Sequence, residues 1–236
     1  MKGCLFIHGF TGAPDEVVPL AEFVKEHTKW DIRIPCLPGH DQPGALRGVA
    51  FQRWIECAEN ELADLLEACE EVYIAGFSMG GMIASYLATK YPVKKLVLLS
   101  AAAYYVNPRQ VIKDIRLVIE DGMKGTLNEN EVYLRYRKKI TETPILSTLQ
   151  FRKLVKYTKP RLPEITIPVL IVQGECDGIV PMKSAHYLYR TIGSKEKKLC
   201  FLPASTHLVC HGEDFEELAK ETAAFLGIRQ YETEKV

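Results

Sequence analysis

The chain of 236 residues is 47% hydrophobic and 25% charged, and its 30 basic residues balance 30 acidic ones. That size and composition suit one large domain, or a domain carrying an insertion, and exclude a disordered chain. The neutral balance gives no reason to expect nucleic acid or an acidic membrane surface as a partner. The longest apolar run, around Leu96 to Val106, is broken by Ser100 and falls short of the roughly 20 residues that span a bilayer.

Met1-Lys2-Gly3 leads at once into strand-like Cys4-Leu5-Phe6-Ile7, without the longer apolar stretch and small-residue cleavage site of a signal peptide. A cytoplasmic chain is expected. Seven cysteines stand at 4, 36, 57, 69, 176, 200 and 210, an odd number with no Cys-x-x-Cys pair. They read as buried free thiols of a reducing compartment, and neither a metal nor another cofactor is expected.

In chain order, short runs rich in β-branched residues alternate with longer amphipathic segments. Cys4–Ile7 reads as a strand, Glu16–His27 as a helix, Asp31–Ile34 as a strand. Phe51–Cys69 is the clearest helix, with Trp54, Ile55, Ala58, Leu62, Leu65 and Leu66 on one stripe. Strand Val72–Ala75, helix Gly80–Lys90 and strand Lys95–Leu99 follow. Later come strand Val169–Gln173, helix Ser184–Ile192, strand Lys198–Leu202 and helix Asp214–Phe225. Helices between nearly continuous hydrophobic strands predict a mostly parallel sheet of about six strands, covered on both faces, because parallel pairing requires crossovers.

The alternation stops between Tyr104 and Pro163. Only helical stretches occur there, such as Val111–Ile119, Glu131–Ile140 and Leu146–Tyr157, and 13 Lys+Arg against 6 Asp+Glu give the segment a net +7. Residues 104–163 are therefore expected to form a helical cap inserted into a core made of 1–103 and 164–236. Solvated helix faces account for its charge. No internal repeat is present.

Val72-Tyr73-Ile74-Ala75-Gly76-Phe77-Ser78-Met79-Gly80-Gly81 puts G-x-S-x-G between a predicted strand and a predicted helix. A serine on so sharp a turn exposes its hydroxyl, the flanking glycines avoid side-chain clashes, and the helix N-terminus favours developing negative charge. The competing dinucleotide loop fails: the middle glycine is missing, and the next strand ends in Ser100-Ala101-Ala102 with no acid for a ribose hydroxyl. No G-K-[ST] marks a phosphate loop either.

A serine nucleophile needs a base within hydrogen-bond reach and an acid that orients the base. His27 and His186 fall inside predicted helices, and His40 in a turn that ties loops together. His207, in the loop after the last strand, is the expected base, with His211 as the fallback. Asp177 is the expected acid, better placed than Glu175 because Gly178-Ile179-Val180-Pro181 then returns the chain to a helix. Donors to an oxyanion should come from the N–H of Met79 and from His8-Gly9-Phe10-Thr11-Gly12, where Phe10 is the candidate and His8 fixes the turn.

"HGFTG", "PGHD", "GFSMGG", "GECDGIVP" and "STHLV" occur in an order that resembles the α/β-hydrolases, most nearly the compact bacterial carboxylesterases and monoacylglycerol lipases, over almost the whole chain. The resemblance implies an α/β-hydrolase fold, here lacking the family's first two strands. It implies hydrolysis of carboxylic esters through an acyl-enzyme without a cofactor, with Ser78 as nucleophile, Asp177 as acid, His207 as base, and Phe10 with Met79 as oxyanion donors. "HGF" in place of "HGGG" argues against esterases of bulky alcohols. A small-molecule ester with a short- to medium-chain acyl group is the expected substrate, with Tyr104, Tyr105 and Ile145 of the cap lining its pocket beside Phe10 and Met79. The chain is expected to be a monomer or weak homo-oligomer. The same triad would serve a thioesterase or a carbon–carbon bond hydrolase, and the fold also occurs in non-enzymatic receptors.

Overall fold

The computed structural model describes residues 1–42, 44–105 and 145–228. The stretches Val111–Ile119 and Glu131–Ile140, read above as cap helices, lie outside the described residues. Six strands form one sheet: β1 (Lys2–Ile7), β2 (Asp31–Arg33), β3 (Glu71–Phe77), β4 (Lys95–Leu99), β5 (Val169–Gly174) and β6 (Lys197–Leu202), in the order β2-β1-β3-β4-β5-β6. Every neighbouring pair is parallel. All six C-terminal ends therefore open on the same edge, where loops from distant parts of the chain meet.

Alternate residues of each strand feed opposite cores. Leu5, Ile7, Ile74, Leu96, Leu98 and Ile171 pack beneath α2 (Phe51–Ala68), α3 (Met79–Lys90), α4 (Ile145–Thr158) and α5 (Lys183–Thr191). Cys4, Phe6, Ala75, Val97, Leu99 and Val172 face α1 (Val18–Glu26) and α6 (Phe215–Leu226). The α2 stripe is buried as its spacing predicts except at Leu66, which is half-buried; Trp54 is fully enclosed and its indole N–H donates to Pro38 O at 3.0 Å. Burying each such side chain contributes about 2 kcal/mol.

α3 is buried almost all round and correspondingly built of small residues, Gly80, Gly81, Ala84, Ser85 and Ala88. α4 belongs to the same core. Its Phe151, Leu154 and Val155 are buried with α2 and α3, Ser147 Oγ donates to Leu46 O at 3.0 Å, and Gln150 Oε1 accepts Phe51 N at 3.3 Å.

Several boundaries move for local reasons. β2 stops at Arg33 ahead of Pro35, which has no N–H for a ladder. The helix expected from Glu16 starts at Val18, with Pro19 in its first turn, after a separate 3-10 turn over Pro14–Glu16. β3 runs on to Phe77, so strand joins helix across Ser78 alone. All seven cysteines are free, but Cys36 and Cys176 are exposed, because both sit in loops.

Candidate active site

Ser78 has φ 53° and ψ −112°, a conformation that costs a non-glycine residue on the order of 1–3 kcal/mol. The surroundings hold it there. Ser78 N donates to Leu99 O at 2.9 Å, and its carbonyl accepts Gly81 N at 3.2 Å and Ala102 N at 3.1 Å. The two glycines of the motif have steric reasons. A Cβ on Gly76 would lie 2.3 Å from Gly80 O, and one on Gly80 would lie 2.2 Å from Ile7 O. Strand β3, helix α3 and the end of β1 thus meet backbone to backbone, and the serine side chain is the group left to project.

His207 follows β6, and its imidazole reaches Ser78: Nε2 lies 3.1 Å from Oγ, across 129 positions of sequence. Its Nδ1 lies 2.7 Å from Asp177 Oδ2. A carboxylate only accepts, so the proton sits on Nδ1 and leaves Nε2 to accept from the serine hydroxyl. The Asp177 side chain is 1% exposed and that of His207 9%. Phe77, next to the serine, packs its ring 4.8 Å from the imidazole.

Asp177 is held on both oxygens. Oδ1 accepts Ile179 N and Val180 N, each at 2.8 Å. Oδ2 accepts His207 and also Gln173 Nε2 at 2.9 Å. The loop carrying His207 is braced from below. Asp214 Oδ2 accepts Ala204 N and Ser205 Oγ, both at 2.8 Å, and Cys176 N donates to Ser205 O at 3.1 Å. A side chain on Gly174 would strike Ser205 O and Thr206 O at 2.4 Å, so the loops carrying Asp177 and His207 run in contact.

The turn after β1 is held by its histidine. Leu37 N donates to His8 Nε2 at 3.0 Å, which puts the His8 proton on Nδ1, 2.9 Å from Gly9 O. Glu16 Oε2 accepts Gly9 N at 2.9 Å. With the Gly9 carbonyl engaged by His8, the trans peptide directs the Phe10 N–H the opposite way. Neither that N–H nor the one of Met79 has a hydrogen-bond acceptor among the described residues. Close behind this turn lies Cys210, a fully buried thiol pushed up to about 12 by burial and then by the Glu16 charge.

The other histidines stand apart from the serine. His211 Nε2 lies 2.7 Å from Asp15 O, and His40 Nδ1 lies 3.2 Å from Leu37 O. Glu175 is exposed. Of the expected pocket residues, Tyr105 packs its ring, tilted by 45°, 4.8 Å from that of Phe151, which lies 5.2 Å from Phe10 and nearly parallel to it. Tyr104 turns instead to Tyr187, ring centroids 4.9 Å apart, with Lys159 Nζ 3.8 Å over its face. The Met79 side chain is fully buried in the core. Ile145 opens α4, and its side chain is outside the described residues.

Gln173, Glu16 and Phe151 were not singled out from sequence. Gln173 left a trace: it is the polar residue in an otherwise apolar buried strand, Val169-Leu170-Ile171-Val172-Gln173. Among the described residues no cluster of His, Cys, Asp and Glu is placed to hold a metal, and no helix is long and apolar enough to cross a membrane.

Residues 56–214 match a protein family described as serine aminopeptidase, S33. A thermostable monoacylglycerol lipase of Bacillus sp. (strain H-257) is 30% identical over 215 residues, covering 87% of this chain and 82% of the relative. A carboxylesterase of Bacillus subtilis (strain 168) is 21% identical over 227 residues, covering 95% and 92%. Among solved structures, a metagenome-derived lipolytic enzyme superposes with a TM-score of 0.78 at 23% identity, covering 97% of this chain and 94% of the other. A monoacylglycerol lipase of Paleococcus ferrophilus superposes with a TM-score of 0.70 at 17% identity, covering 94% and 93%. A parallel sheet with a strained serine turn, a family match across two thirds of the chain and a relative at this identity lead to one assignment: the chain belongs to the serine aminopeptidase S33 family of α/β-hydrolases and is a serine hydrolase.

Proposed function

We propose that the chain hydrolyses carboxylic esters with short- to medium-chain acyl groups, monoacylglycerols among them, through an acyl-enzyme on Ser78. The observation that carries this reading is the unbroken line of hydrogen bonds from Asp177 through His207 to Ser78, at 2.7 and 3.1 Å. Ser78 Oγ attacks the ester carbonyl as its proton passes to His207 Nε2, and Asp177 stabilises the imidazolium through Nδ1. The carbonyl oxygen becomes an oxyanion facing the N–H groups of Phe10 and Met79. Each such preorganised donor is worth roughly 3 kcal/mol in the transition state. Collapse of the adduct expels the alcohol, which takes the proton from His207. Water, deprotonated by the same nitrogen, then releases the acid and restores the serine.

The relatives named for monoacylglycerol lipase and carboxylesterase activity support an ester as substrate. The apolar wall of Phe10, Phe151 and Tyr105 suits an acyl chain. Residues 104–163 are proposed to carry the cap, whose α4 is seated against α2 and α3.

The test is a panel of p-nitrophenyl esters of graded acyl length, with a monoacylglycerol beside them. Hydrolysis that is strongest among the shorter chains and lost in Ser78→Ala is the expected result. Absence of turnover on both the butyrate and the octanoate would overturn the reading.

A further inference from the structure

Among the described residues Gln173 makes no hydrogen bond to Ser78 or His207, yet it is bonded to Asp177 between them. It occupies the penultimate position of β5 and is 1% exposed. Three acceptors surround its amide nitrogen: Asp177 Oδ2 at 2.9 Å, Val180 O at 3.1 Å and Gly174 O at 3.2 Å. Its own Oε1 is buried and has no hydrogen-bond partner among the described residues. The flanking positions of the strand, Val169 to Val172, are all apolar and fully packed. Burying an amide with its carbonyl unpaired costs stability that a hydrocarbon of the same size would not. The side chain is therefore present for its two N–H groups.

Those groups do two things at once. One completes the acceptor set of Asp177: with Ile179 N and Val180 N on Oδ1, and His207 with Gln173 on Oδ2, the carboxylate meets four donors. The other reaches Val180 O, and the N–H of the same residue donates to Asp177, so both backbone groups of Val180 are engaged and the 177–180 turn is tied to the strand through Gln173. A carboxylate so held does not rotate away from the imidazole. We propose that Gln173 is a positioning residue of the triad, whose amide fixes the plane of Asp177 opposite His207. This rests on the reading of Ser78, His207 and Asp177 given under the proposed function.

Among the described residues, the titratable groups bonded to this cluster or beside it in the chain are His207, Glu175 and Cys176. His207 comes from the loop after β6. Glu175 and Cys176 on the acid loop are exposed, and Cys176 Sγ donates to Pro203 O at 3.4 Å. From α5, Lys183 Nζ lies over the Tyr104 ring at 5.6 Å.

Two substitutions test the assignment, read on p-nitrophenyl butyrate with kcat divided by the concentration of folded chain. Gln173→Leu removes both donors without adding charge, and kcat should fall about tenfold with KM within twofold. Gln173→Glu places a second carboxyl against Asp177. Once both are ionised, the added negative charge binds the His207 proton more tightly, and the acid limb of kcat/KM should move to higher pH by about half a unit or more. A merely structural amide would change thermal stability but leave kcat of the folded leucine variant at the parental value. Parental kcat in the leucine variant with a superimposable profile in the glutamate variant would overturn the inference. So would loss of folding in both variants, or loss of folding in the leucine variant beside a parental glutamate profile, since the amide would then be structural. Ser78→Ala is measured alongside. If it keeps activity, the reading of the site has failed; if it is inactive while the Gln173 variants behave as the parent, only the positioning role has.

Discussion

Two turns bring chemistry to the open edge of the sheet, and they are held by different physics. The Ser78 turn is fixed by backbone contacts: its φ of 53° persists because β3, α3 and the end of β1 approach too closely for any other path. The Asp177 turn is fixed by side-chain hydrogen bonds, with four donors converging on one carboxylate and no residue at a positive φ between 174 and 180. Steric fixation ties Ser78 to the fold itself. Polar fixation ties Asp177 to a few groups whose loss leaves the packing in place. Damage to the first turn should therefore register in stability and activity together, and damage to the second mainly in activity.

The sharpest way to break that contrast is Asp177→Asn. The amide can offer its N–H₂ to the imidazole and impose the wrong tautomer, so kcat should fall by about 10³–10⁴-fold. The two main-chain donors to Oδ1 have an acceptor of the same shape, so Tm should drop by only a few degrees. Steady-state kinetics beside a thermal melt decide it, and a large loss of Tm would erase the distinction. Next comes Gly80→Ala. Its methyl would meet Ile7 O at 2.2 Å, and overpacking of this kind costs about 3 kcal/mol. Tm should fall by roughly 6–12 °C for a domain of this size, with activity reduced in the fraction still folded. An unchanged melt would show that the turn is not sterically held.

Glu16→Leu probes the turn after β1, where Glu16 accepts Gly9 N. Removing the acceptor strands a buried N–H and loosens the peptide that aims Phe10. The cost should be about 1–3 kcal/mol of stability and roughly tenfold in kcat, with KM little altered. This turn combines both kinds of support, so an intermediate result is the informative one. The smallest effect belongs to His211→Ala. His211 faces Asp15 O and not the serine, so kcat/KM should stay within twofold of the parent. A large loss there would reassign the base.

The same contrast explains what the sequence could and could not tell. Gly76, Ser78 and Gly80 are legible because steric demand at a strand-to-helix turn admits almost no other residues, and a pattern that narrow can be read locally. His207 and Asp177 follow from chain order, since parallel strands deliver their C-terminal ends to one edge. Gln173 and Glu16 act through contacts that no local pattern encodes. Gln173 could be noticed only as a polar residue in an apolar strand, and Glu16 only once His8-Gly9-Phe10 had folded back against it. Tyr104 and Tyr105 are adjacent in sequence, but their side chains go to different neighbours. One ring packs on Phe151 and the other beneath Lys159.

Active-site labelling tests the alignment of Ser78 with His207 most directly. After reaction with a fluorophosphonate probe, mass analysis of proteolytic fragments should find a single adduct, on the peptide that contains Ser78. It should be absent from Ser78→Ala and form at least about 10²-fold more slowly in His207→Ala. An adduct on another residue, or labelling of His207→Ala at the parental rate, would contradict the assignment.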